Sequence, residues 1–369
     1  MTERVTISDV VSWAEALAPA VLQESYDNAG LQTGDPLQEV TAALITLDVT
    51  EPVVDEAIGQ GANLIIAHHP VIFGGIKKLT GTSPVERILL KAIRNNIAIL
   101  AVHTNIDNVA GGVNSMIARK LDLQNCSILR AQRGRLRKLV TFVPPAYLEK
   151  IRTAVFSAGA GNIGNYDQCG FTTPGKGSFR GNDKSHPFTG EPGKPHEEPE
   201  VRFETIFPAW LEKQVVDALL QSHPYEEVAY DIYSLENIHP LTGSGITGEL
   251  PRPVDELQFL ETLKEVFRIP VIRHSPLLGK PVGKIAVCGG AGSFLLKDAI
   301  ASGSRFFITG DIKYHQFFEP DGKIVMADIG HYESEQFTKE LLLDLLIKKF
   351  HTFAVRLSEV DTNPVNYHM

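Results

Sequence analysis

Six residues carry the strongest chemical signal in the chain: His68 and His69, His103 with Asp107, and His331 with Glu335. Imidazole nitrogen and carboxylate oxygen are the donors that bind divalent metals where no thiolate is offered. In each of the two mixed pairs the carboxylate follows its histidine by four residues. If a helix starts near the histidine, that spacing brings both side chains to one face. The adjacent pair needs another geometry, because neighbours on a regular strand point to opposite sides. His68 and His69 can serve one site if the strand has ended, or if the site holds two centres. Pro70 restricts His69 to extended backbone and so fixes the direction of the pair.

With 12 histidines in 369 residues, one adjacent pair is weak evidence by itself, and a lone His-x-x-x-carboxylate is weaker. The elements around them strengthen it. TAALITLDV, ANLIIA and IAILAV are short apolar runs rich in β-branched residues, separated by the helical segments EPVVDEAIGQG and SPVERILLKAIRNN. A capped helix precedes them, with Ser8 or Asp9 as the cap. Strand–helix–strand alternation predicts parallel pairing and an α/β sheet covered on both faces. The pattern returns after residue 245 with GKIAVCGG, RFFITGD, KIVMADIG and one long amphipathic helix, SEQFTKELLLDLLIKKF. All three histidine sets then fall at carboxyl ends of strands, the edge where open α/β sheets bind ligands.

The two outer pieces resemble each other. VVDEAIGQGANLIIAHH aligns without a gap on LLKDAIASGSRFFITGD, and each following strand leads into its own His-x-x-x-carboxylate. This predicts a pseudo-two-fold α/β domain, 1–127 plus 246–369. The intervening segment, 128–245, reads in the order βαββαβ, a ferredoxin-like inserted domain. Within it, residues 174–200 are so polar and so full of glycine and proline that they are expected to form an unpacked loop.

Four histidines and two carboxylates exceed the three or four protein ligands of a mononuclear catalytic zinc site. Two ions bridged by a carboxylate and a water would use them all. Their surplus charge would lower the pKa of the bridging water and attract an anionic substrate. The donor set suits Zn, Mn, Fe, Ni or Co without choosing among them. A hydrogen-bonded polar cluster without metal is the alternative. Gly290 and Gly292, between a strand and a helix, offer backbone N–H groups to an anion, or else allow tight packing. Asp311 and His315 stand where the other repeat has His69, as contacts to ligands or substrate, or as helix caps.

Composition narrows the class. The chain is 43% hydrophobic and 21% charged, with a net charge of −9 and no basic run. That argues against non-specific nucleic-acid or anionic-membrane binding. Three scattered cysteines suggest neither a disulfide framework nor a thiolate zinc site, and a reducing cytoplasm is expected. No window reaches the length of a membrane span.

YDNAGLQTG, ALITLDVT, NLIIAHHPVIFGGIKKL, VHTNIDNVAGGVN, AVCGGAGSF, FFITGDIKYH and GHYESE together resemble the NIF-three-like family, also called GTP cyclohydrolase I type 2 homologues. The resemblance implies a two-metal site with ligands at His68, His69, Asp107, His331 and Glu335, and His103 as a ligand or close to one. It also implies a ring-like homohexamer and a PII/CutA-like character for the insert. The activity expected is metal-dependent hydrolysis of a nucleotide or phosphorylated small molecule. The rival expectation is a metal-binding regulator or scaffold whose insert binds an effector or partner.

Overall fold

The computed structural model describes residues 4–368. The chain divides into two compact units, one formed by the segments ending at Ala131 and beginning at Leu241, the other Gln132–Pro240.

The first segment of the larger unit contains α1 (Ile7–Leu17), β1 (Gly30–Thr33), β2 (Ala42–Thr46), α2 (Glu51–Gly59) and β3 (Leu64–Ala67). It continues with α3 (Pro84–Arg94), β4 (Ala98–Ala101), α4 (Thr104–Asp107), α5 (Val113–Lys120) and β5 (Gln124–Ala131). The cap of α1 is Thr6, not Ser8 or Asp9. Asp9 is instead the third helical residue and closes a capping box with Thr6.

The second unit runs β6 (Leu136–Val143), α6 (Leu148–Ser157), β7 (Gly170–Phe179), β8 (His196–Pro208), α7 (Glu212–Ser222) and β9 (Tyr230–Leu235). Its strands form one antiparallel sheet, order β7-β8-β6-β9. Ile151 and Val155 of α6, with Val215 and Leu219 of α7, close its core over Leu139, Phe203 and Phe207. The breaker-rich tract is not all loop. β7 and β8 stay paired from Gly170–Thr205 out to Phe179–His196, with Pro174 and Pro199 inside the ribbon. Both prolines are tolerated because β7 is an edge strand, and β8 loses its other neighbour, β6, beyond Val201.

The returning segment supplies β10 (Gly243–Val254), α8 (Glu256–Phe267), β11 (Arg273–His274), β12 (Val282–Val287), α9 (Leu296–Ala301) and β13 (Phe306–Thr309). After these come β14 (Val325–Asp328), α10 (His331–Glu335), α11 (Thr338–Lys349) and β15 (Ala354–Leu357). The single long helix expected from Ser334 onward is therefore two helices, α10 and α11.

The larger unit has two sheets rather than one. The first has the order β1-β4-β3-β2-β15 and the second β11-β14-β13-β12-β10-β5. Each contains a parallel triple, β2-β3-β4 or β12-β13-β14, flanked by an antiparallel strand, β1 or β11. The halves thus repeat one order. Alternate residues of each strand face opposite layers. Ala43, Ile45, Leu64 and Ile66 face a core shared with Ile285, Phe306 and Ile308 of the other sheet and with α1, α5, α8 and α11. Leu44, Ile65 and Ile99 pack outward against α2 and α3. Ala286, Phe307 and Met326 pack outward against α9. Burial on both faces explains why these strands read as continuous apolar runs. No helix among the described residues is long and apolar enough to cross a membrane.

Candidate metal centre

β3 ends at Ala67, and His68 and His69 follow it. Their amides still donate to Thr46 and Leu47 carbonyls at 3.3 and 2.9 Å, so the pair leaves the sheet edge in a held direction. β4 leads to His103, which caps α4, and Asp107 closes that helix. β14 leads to His331, the first residue of α10, with Glu335 at its end. Each His-x-x-x-carboxylate is therefore one helical turn, started directly after a strand.

The four imidazoles converge. Ring centroids are 4.8 Å apart for His68–His69, 5.3 Å for His68–His103, 5.2 Å for His69–His103 and 5.3 Å for His69–His331. Glu335 lies between them. Its Oε1 is 3.7 Å from His68 Nε2, and its Oε2 is 3.0 Å from His69 Nε2 and 3.2 Å from His331 Nε2. Asp107 Oδ1 is 3.8 Å from His68 Nε2. Three triads bring their donor atoms within 4.8 Å of one another: His68–His69–His103, His69–His331–Glu335 and His68–Asp107–Glu335.

The opposite ring nitrogen of every histidine is already held. His68 Nδ1 donates to the Val102 carbonyl at 2.9 Å. His69 Nδ1 meets Asp48 Oδ1, His103 Nδ1 meets Asp27 Oδ1 and His331 Nδ1 meets Asp311 Oδ2, each at 2.7 Å. An Nδ1–H donated outward leaves Nε2 as a lone-pair donor aimed into the cluster, the usual support for metal-binding histidines. Two inward atoms, His68 Nε2 and Asp107 Oδ1, are buried and have no hydrogen-bond partner. Buried polar atoms are normally satisfied. A cation between these two would satisfy both, and the donor set fits a divalent metal.

Electrostatics agree with a site built for positive charge. Burial pushes the Asp107 carboxyl well up, reinforced by the charge of Glu335. Burial also opposes ionisation of Glu335, but His68 and the hydrogen bonds from His331 and His69 hold it well below the carboxylate range. Burial opposes protonation of His69 and His331 too. The Asp48 and Glu335 carboxylates nevertheless raise His69 to about 10, and Glu335 and Asp311 raise His331 to about 9. Burial lowers His68, against the opposing pull of the Glu335 charge.

Asp27 and Asp48 escaped the sequence analysis as site residues. Asp48 directly follows the strand-end residues beside His68, which was a usable signal; Asp27 lies in a loop, inside the YDNAGLQTG stretch that carries the family resemblance. Burial works against the Asp27 carboxylate, yet the His103 and Thr104 hydrogen bonds bring it down to about 2. Replacing Asp48 by asparagine is expected to weaken metal binding by about 10–100-fold. A competition titration against a chromophoric chelator measures it, and the isosteric side chain keeps the contact to Thr362.

Three expected contributors behave differently. The Gly290 amide donates to Ser334 Oγ and the Gly292 amide to Thr309 Oγ1, at 2.9 and 2.8 Å. Neither is free for an anion. Both glycines serve close packing instead, since a Cβ at Gly290 would strike Glu335 Oε1 and one at Gly292 would strike Cys288. His315 is exposed, packs on Tyr314 and does not line the cavity. Glu333, three residues on from Gly330, is bound to Asn363 Nδ2 at 2.9 Å, which leaves Glu335 as the carboxylate of the cluster.

The cluster lies on a cavity of about 780 Å³ lined by both halves of the unit, including the C-terminal residues Asn363, Pro364, Val365 and Tyr367.

The family model for Duf34/NIF3 (NGG1p interacting factor 3) matches residues 5–364. A Bacillus subtilis protein named GTP cyclohydrolase 1 type 2 homolog is 36% identical over 375 residues, covering all of both chains. A Listeria innocua protein of the same name is 39% identical over 303 residues, covering 82% of this chain and 81% of its own. The crystal structure of a Bacillus cereus protein related to NIF3 superposes over the full length of both chains, with a TM-score of 0.86 at 36% identity. The family model spans nearly the whole chain and the similarity to relatives is full-length, and the chain belongs to the Duf34/NIF3 family.

Proposed function

We propose that the protein holds two divalent ions and uses them to hydrolyse a nucleotide or another phosphorylated small molecule. The observation that carries this reading is the pair of buried, unpartnered donors, His68 Nε2 and Asp107 Oδ1, beside a Glu335 whose two oxygens face different triads. His68, Asp107 and Glu335 Oε1 would hold one ion; His69, His331 and Glu335 Oε2 would hold the other. His103 is within reach of His68 and His69. Such ions, Zn or Mn, Fe, Ni or Co, supply Lewis acidity and a more acidic bound water. The protein's own part is orientation. Asp27, Asp48, Asp311 and the Val102 carbonyl fix four rings, and the cavity walls limit bulk water.

The relatives' shared name makes GTP one substrate to test. The βαββαβ order and one-sided helices support a ferredoxin-like, PII/CutA-like reading of the insert, 128–245. A homohexamer in the cytoplasm, with no nucleic-acid partner, completes the proposal. The ribbon β7–β8 is exposed along much of its length, which supports the second reading, a metal-binding regulator whose insert takes an effector.

The test is turnover by the full chain, loaded with Zn or Mn, across nucleotides including GTP and simple phosphoesters. Metal-dependent release of product supports the hydrolase. Stoichiometric metal with no turnover, together with nucleotide binding that survives metal removal, supports the regulator.

A further inference from the structure

The cavity has a second recognition feature that the metal cluster does not use. Among its lining residues Arg273 is the one lysine or arginine. The same cavity also has apolar wall residues: Tyr26, Phe73, Val271, Phe294, Val365 and Tyr367 all line it and are all exposed. A polar floor with an apolar rim and one permanent cation is the layout of a site for an amphipathic anion.

Arg273 is fixed in place rather than free. It opens β11, directly opposite Asp328 on β14. Its Nη2 donates to Asp328 Oδ2 and, at 3.1 Å, to the Ile312 carbonyl, and its guanidinium lies 5.6 Å from the Phe317 ring. These contacts tie it to the two segments that carry the metal cluster's edge, since Asp311 orients His331 and Gly330 precedes it. Asp328 forms an ion pair with Arg273 through that one nitrogen. Its Oδ1 accepts from the Gly330 amide and its Oδ2 from the Ile312 amide, each at 3.0 Å. On Arg273, Nε and Nη1 have no hydrogen-bond partner among the described residues, and the side chain is 59% exposed. A guanidinium held at one nitrogen with an open edge can take two oxygens of a phosphate at once.

We propose that Arg273 anchors the phosphate of a phosphomonoester ligand whose planar or apolar body rests on the aromatic rim. This rests on the reading of the cavity as a substrate site. It adds that the phosphate is recognised away from the cluster, so that removing Arg273 costs phosphate recognition and not metal.

The experiment uses the metal-loaded full chain and compares each nucleoside 5′-monophosphate with its nucleoside by calorimetry. Arg273→Gln is the main variant, because it keeps a donor for Asp328; Arg273→Lys keeps the charge without the fork. Wild type is expected to prefer the monophosphate by about tenfold or more, Arg273→Gln to lose that preference, and Arg273→Lys to recover part of it, all at unchanged metal content. A preference that persists in Arg273→Gln overturns the anchor, as does a wild type that binds the two forms alike or binds neither. Arg273-dependent binding without turnover would sink the hydrolase and leave the anchor. Metal-dependent turnover indifferent to Arg273→Gln would do the reverse.

Discussion

Glu335→Gln is expected to strip metal from both halves of the site, whereas His331→Ala is expected to strip mainly one. The difference follows from the two oxygens of Glu335. Oε1 belongs with His68 and Asp107, and Oε2 with His69 and His331. The amide replaces one of those oxygens by an acceptor-less NH₂ and removes the charge that balances the cluster. Affinity should fall more than about 100-fold, beyond what loss of an orienting contact costs. After His331→Ala, the triad His68–Asp107–Glu335 is still complete. Elemental analysis of the purified variants separates the cases. Full metal content in Glu335→Gln would remove Glu335 from the ligand set. Metal equal to wild type in His331→Ala would remove His331. In metal-free protein Glu335→Gln should let the His69 and His331 rings titrate lower, because Glu335 is a main cause of their elevation.

Proton linkage gives the second large effect. Without metal, the folded chain keeps protons on His69 up to about 10 and on His331 up to about 9, while unfolded histidine titrates near ~6.5. The raised values mean that their stabilisation is complete below about 6.5 and is lost as pH rises through 9 and then 10. The metal-free protein should therefore lose thermal stability steadily between those limits. His68 has the opposite sign: its lowered value costs stability as pH falls below the unfolded value. Metal changes the balance, because Nε2 must be deprotonated to bind it. Uptake of Zn near neutral pH should release up to two protons per subunit, and the gain in midpoint on loading should widen as pH rises. Calorimetric titrations in two buffers of different ionisation enthalpy count the protons. No proton release, or a gain that shrinks with pH, would contradict the assignment of His69 and His331.

The legible part of the site was local. His68, His69, His103, Asp107, His331 and Glu335 were accessible to sequence reasoning because strand ends and a four-residue spacing are short-range patterns. Of the residues that orient the rings, Asp311, which holds His331, was named from the sequence, and Asp27 and Asp48 were not. Asp27 reaches His103 across 76 positions and Asp48 reaches His69 across 21, and no periodicity links them. Gly290 and Gly292 illustrate the opposite failure. A glycine-rich turn between strand and helix suggested free amides, but Ser334 of α10 and Thr309 of β13 occupy them.

The sequence by itself determined the parallel triples, the donor types and the helical turns that pair His103 with Asp107 and His331 with Glu335. Hydrophobic period and i,i+4 spacing are properties of a few consecutive residues, so they survive without knowledge of the rest. Tertiary structure alone decided that the halves form two sheets around a shared core, that Glu335 turns one oxygen to each of two triads, and that Arg273 faces the same cavity. Those outcomes depend on how separate layers pack, and packing is set by contacts between residues hundreds of positions apart, such as His69 with Glu335 at 266.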